Sequence, residues 1–184
     1  ITINAGGTVE NCGTISGSIN FSGGSLINRN VITPNLNINS GCVYTNYATS
    51  SAGITIQGGT VNNFGTLNPS FFSFNAGTLH NQTGATMNLP GLSLNNGSVL
   101  MNDGTINSSS TYNVSNGATV TNNNVINAPN GGSNDGSITN NGRMIFSSGG
   151  FSVNSNGSLT NNCYVSVGGN FDNNKTLINS GTIE

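Results

Sequence analysis

Apolar residues along the chain fall into short alternating strips and never into long runs. One strip is an apolar-x-apolar triplet, seen at Ile1/Ile3, Ile19/Phe21, Leu36/Ile38, Ile54/Ile56, Phe72/Phe74, Leu92/Leu94, Tyr112/Val114 and Phe151/Val153. After it comes a four-residue unit of a small hydroxyl residue, an aliphatic, any residue and Asn. It reads Thr8-Val9-Glu10-Asn11, Ser25-Leu26-Ile27-Asn28, Thr60-Val61-Asn62-Asn63, Thr78-Leu79-His80-Asn81, Thr119-Val120-Thr121-Asn122, Ser137-Ile138-Thr139-Asn140, Ser158-Leu159-Thr160-Asn161 and Thr176-Leu177-Ile178-Asn179. Two degenerate copies, Cys42-Val43-Tyr44-Thr45 and Ser98-Val99-Leu100-Met101 followed by Asn102, fill the gaps. A second aliphatic follows nine of the ten units: Ile15, Ile32, Leu67, Met87, Ile106, Ile126, Met144, Val165 and Ile183. Period-2 alternation bounded by Gly, Asn and Ser predicts three short strands per repeat.

The repeat spacing runs from 17 to 21 residues with a mean of about 18.7. A strand of three to five residues with one apolar side cannot hold a sheet alone. Stacked about 4.8 Å apart, however, successive coils pair every backbone group and bury the apolar strips as one core. The predicted fold is all-β: a single-stranded parallel β-helix (β-solenoid) of about ten coils, one continuous unit over residues 1–184 and about 48 Å long. Alternation points the Asn of each unit inward. Asn11, Asn28, Asn63, Asn81, Asn122, Asn140, Asn161 and Asn179 are thus expected to form an internal amide ladder that satisfies buried polar atoms. Gly13, Gly65, Gly142 and Gly181 follow it and read as positive-φ turn residues. Residues 127–136 lack the apolar triplet and are expected to protrude as a loop. Neither terminus shows a polar cap, so the segment reads as internal to a longer solenoid or as stacking end to end.

Composition narrows the class. The chain holds 37 Asn and 27 Gly, residue types that disfavour helix interiors. Only 4% of residues are charged, and the formal net charge is −2, with three Lys and Arg in all. Three cations cannot make a phosphate-binding surface, which excludes nucleic acid as a main partner. No apolar run approaches the roughly 18 residues that span a bilayer as a helix.

Candidate chemistry is sparse. The five acids, Glu10, Asp103, Asp135, Asp172 and Glu184, occupy different positions within their coils, and Asp135 and Asp172 lie two coils apart. His80 is the sole histidine and is expected to stand alone on the surface. No metal-ligand spacing occurs, and no metal, cofactor or catalytic residue is expected. Cys12, Cys42 and Cys163 fall in different columns and read as unbridged thiols. The hydroxyl residues Thr8, Ser25, Thr60, Thr78, Ser98, Thr119, Ser137, Ser158 and Thr176 form one outward rank, a possible binding face for ice or glycan. The neighbouring rank, Glu10, Ile27, Tyr44, Asn62, His80, Leu100, Thr121, Thr139, Thr160 and Ile178, is mixed.

With these columns laid out, Gly7-Thr8-Val9-Glu10-Asn11-Cys12-Gly13-Thr14-Ile15 and Gly59-Thr60-Val61-Asn62-Asn63-Phe64-Gly65-Thr66-Leu67 resemble the repeats of large bacterial surface adhesins of the filamentous-haemagglutinin type. They are also similar to the Asn/Gly-rich repeats of long secreted Bacteroidota adhesins. The resemblance implies a right-handed β-helix and the non-catalytic shaft of an exported bacterial adhesin or filament, extracellular or on the cell surface. It would contact surface glycans or other cell-surface components, or copies of itself end to end or laterally. An ice- or glycan-binding solenoid and a polysaccharide-degrading β-helix enzyme are the alternatives, and the scattered acids speak against the last.

Overall fold

A computed structural model describes residues 1–184. The chain is a parallel β-solenoid with no helix, so it holds no helix long and apolar enough to cross a membrane. Each coil contributes one strand to each of three faces, and every pairing is parallel. The triplets make the first face, the Asn-ending units the second and the downstream aliphatics the third. In two coils the first and second faces run on as one ten-residue strand, Ile54–Asn63 and Phe72–Asn81, which fuses most of these strands into a 16-stranded sheet. The third face is an 8-stranded sheet preceded by a two-stranded one.

The core is a single cluster of 35 buried residues running along the axis. Beside it stands the Asn ladder. The side-chain amide of each rung donates to the carbonyl oxygen of the next, from Asn11 through Asn28, Asn46, Asn63, Asn81, Asn102, Asn122, Asn140 and Asn161 to Asn179, at 2.7–3.0 Å. In eight of the nine donating rungs the amide also bonds a backbone carbonyl of the following coil, as Asn63 does with Thr86 (3.2 Å) and Asn140 with Tyr164 (2.9 Å). Both N–H groups are then satisfied out of water, where each would otherwise cost about 1–3 kcal/mol. The ladder clamps the second face to the third at eight of these layers.

Three expectations need correction. The two degenerate units are shifted by one residue: Asn28 pairs with Asn46 and Asn81 with Asn102, so Val43-Tyr44-Thr45-Asn46 and Val99-Leu100-Met101-Asn102 are the true copies. Ser98 consequently faces inward, fully buried, its hydroxyl donating to the Phe74 carbonyl at 3.2 Å.

The glycines after the ladder have negative φ. What Gly65, Gly142 and Gly181 accommodate is the neighbouring coil, since a Cβ on Gly142 would lie 2.1 Å from the Asn124 carbonyl oxygen. Most positive-φ glycines sit instead at the corner between first and second faces, for example Gly41 and Gly97, with Gly84 and Gly131 at the other two corners.

Residues 127–136 do not protrude. Gly132–Asn134 is a strand of the first face, in register between Tyr112–Val114 and Phe151–Val153. Its apolar residues are absent because its neighbours fill the space. The Tyr112 and Phe151 rings, two coils apart, lean to within 6.4 Å, and Phe146 stacks on Phe151 at 4.5 Å. Asn134 takes a core position by donating to the Ser158 carbonyl (2.8 Å) and accepting from the Gly136 N–H (3.0 Å).

Candidate functional site

The outer surface is a set of polar columns. On the third face Asn127, Asn107 and Asn88 each donate to the Asn one coil back, ending at Asn68, at 2.6–2.8 Å. Beside them Thr49, Thr66, Thr86 and Thr105 follow in register. On the second face the hydroxyl rank is interrupted: Val43 and Val99 stand where the shifted units would have placed Cys42 and Ser98, while Thr8, Ser25, Thr60, Thr78, Thr119, Ser137, Ser158 and Thr176 keep their places. The same shift puts Thr45 and Met101, in place of Tyr44 and Leu100, in the neighbouring rank. Tyr44 is buried, and burial pushes its phenol up to about 12.

No three His, Cys, Asp or Glu residues come together. Asp135 and Asp172 lie in separate columns, Asp135 bonded by Asn154 and Asp172 paired in register with Ser152. All three cysteines are free thiols, Cys42 buried and Cys12 and Cys163 exposed. One shallow groove of about 330 Å³ between Pro69, Pro90 and Ser109 holds no titratable side chain.

His80 does not stand alone. Its Nε2 meets Asp103 Oδ2 at 2.5 Å and its Nδ1 meets the Gln82 amide at 2.8 Å. Asn123 donates to the other Asp103 oxygen at 2.7 Å. The bonds from Asn123 and His80 hold the Asp103 carboxyl below the usual carboxylate range. From Asn123 the column continues through Asn141 to Asn162 as an exposed amide ladder.

Asp103 belongs to the corner column that follows the Asn ladder. Its members are aligned because each N–H bonds the preceding rung's carbonyl: Arg29 to Asn11, Tyr47 to Asn28, Phe64 to Asn46, Gln82 to Asn63 and Asp103 to Asn81. Arg29 forms an ion pair with Glu10 and lies 4.7 Å from the Tyr47 ring centroid. Tyr47 stacks on Phe64, centroids 4.9 Å apart, planes within 16°. Tyr47 and Phe64 are each 45% exposed and, with Phe71, are the exposed aromatic residues of the chain. The sequence reading missed this group. Its signal is an aromatic directly after a ladder Asn in consecutive coils, visible once Asn46 is recognised as a rung.

No protein-family model, no curated protein and no solved structure matches the chain.

Proposed function

We propose that the chain is a shaft segment of an exported bacterial surface adhesin or extracellular filament, without catalytic activity. The observation that supports this reading is the unbroken Asn ladder, carried in register from Asn11 to Asn179 through every coil. A rod whose backbone and buried amides are bonded layer to layer bends little. It lengthens by adding coils, each of which contacts only its neighbours. The surface fits exposure outside the cell: with 4% charged residues it attracts few ions, and its amides and hydroxyls offer hydrogen bonds to glycans or adjacent rods.

The scattered acids support a non-catalytic role. A glycosidase needs two carboxyl groups facing one scissile bond. Asp103 is committed to His80 and Asn123, and Asp135 to Asn154.

Immunogold electron microscopy of producing cells, both intact and thin-sectioned, with antibody raised to this chain, tests the reading. Gold along filaments or rods projecting from the surface is the expected result. Gold confined to the cell interior would overturn it.

A further inference from the structure

We infer that Tyr47 and Phe64 form a binding platform for a neutral oligosaccharide, flanked by Arg29 on one side and Gln82 with the His80–Asp103 pair on the other. The inference deepens the adhesive reading and rests on it for the source of the glycan.

The platform is built from two stacked rings, Tyr47 and Phe64. Their centroids are 4.9 Å apart, more than the roughly 3.5–4.0 Å contact of atoms stacked face to face, so the rings are offset. Tyr47 is held between Arg29 and Phe64 and turns its edge to water, Phe64 is covered by Tyr47 on one side, and each residue is 45% exposed. Arg29 sits against Tyr47, so the stack is fixed from one end before any ligand arrives. Rigid aromatic surface binds at low entropic cost.

The surroundings select the ligand. A sugar ring carries an apolar C–H face and an equatorial belt of hydroxyls. The platform offers the same pairing: apolar ring surface in the middle, donors and acceptors around it. Arg29 and Glu10 lie at one end, Gln82, His80 and Asp103 at the other, and Thr45 and Asn62 alongside. From Arg29 to Gln82 is three coils, about 14 Å, the length of a short oligosaccharide. Arg29 is already paired with Glu10, so the site holds no free cation for an anionic ligand.

Other occupants fit less well. Two rings are a small apolar area beside the roughly 800 Å² per partner of a stable protein interface, and the column on either side is polar. Stacked bases would bring phosphates, and the one nearby cation is engaged by Glu10.

The test is titration of the folded chain with neutral hexasaccharides of glucose, mannose and N-acetylglucosamine, read by calorimetry and by chemical shifts of the Tyr47 ring. At least one is expected to bind. The double variant Tyr47→Ala/Phe64→Ala should weaken binding at least about tenfold. Gln82→Ala should weaken it less, and Phe71→Ala, removing an exposed aromatic elsewhere, should leave it unchanged. Melting curves alongside show that the variants fold. If the double variant fails to fold, Gln82→Ala and the Tyr47 shifts decide. No binding by any sugar, or binding untouched in the double variant, overturns the inference. So does self-association that the double variant abolishes in place of sugar binding. Surface filaments seen by immunogold in the absence of sugar binding would leave the shaft reading standing while this site falls.

Discussion

The amide of Asn63 donates one N–H to the Asn81 carbonyl oxygen at 2.9 Å and the other to the Thr86 backbone carbonyl at 3.2 Å, tying two faces and two coils through one side chain. Replacing Asn63 or Asn81 by Leu keeps the number and branching of side-chain heavy atoms and removes these bonds, leaving buried partners unsatisfied on both sides. Each change is expected to cost about 2–5 kcal/mol, measured by denaturant or thermal melting. Asn123→Ala, in the exposed ladder, should cost under about 1 kcal/mol, because water replaces what is lost. Equal effects at buried and exposed rungs would contradict the clamping role.

Gly132 carries a steric prediction. A Cβ there would lie 1.8 Å from the Tyr112 carbonyl oxygen, within a paired strand whose backbone cannot move away without breaking register. Gly132→Ala should destabilise the chain by several kcal/mol, about as much as severe overpacking. A variant with unchanged melting would show that this stretch lies outside the sheet after all.

The Tyr112 hydroxyl is buried and has no hydrogen-bond partner, and burial raises its pKa far above the ordinary phenol value. Tyr112→Phe removes an unpaired polar group while keeping the ring against Phe146 and Phe151. Stability is expected to rise by about 1 kcal/mol. A loss of stability would reveal a bonded partner for the hydroxyl.

Asp103 sets a pH dependence. Its bonds to Asn123 and His80 lower its pKa in the folded chain below the ordinary 3.8. The folded state therefore holds this proton less readily than the unfolded one. The corresponding stability is complete above the ordinary value and is lost as pH falls through the lowered one. Melting temperature should drop below about pH 4 in the parent chain, and less steeply in Asp103→Asn. Identical acid profiles would show that the carboxylate contributes nothing there.

Repeat, fold class and buried ladder were legible because they rest on side-chain alternation, which a period of 17–21 residues preserves despite changing identities. The register slipped where a small residue sat one place early. Cys42 and Ser98 match the hydroxyl position chemically, but both are buried, and Asn46 and Asn102 complete the rungs one residue later. That slip also hid the aromatic corner, since Tyr47 aligns with Phe64 only when Asn46 aligns with Asn63. The His80–Asp103 pair was illegible for another reason. The two residues are 23 positions apart, more than one period, and meet because they come from neighbouring columns of adjacent coils. Residues 127–136 looked like a loop because their core is supplied by other coils, which local pattern cannot show.

The most direct test of the shaft account is electron cryo-microscopy of the native filaments. The account predicts straight rods built from this repeat, with a meridional spacing near 4.8 Å from stacked coils. Discrete compact particles lacking that axial spacing would contradict it.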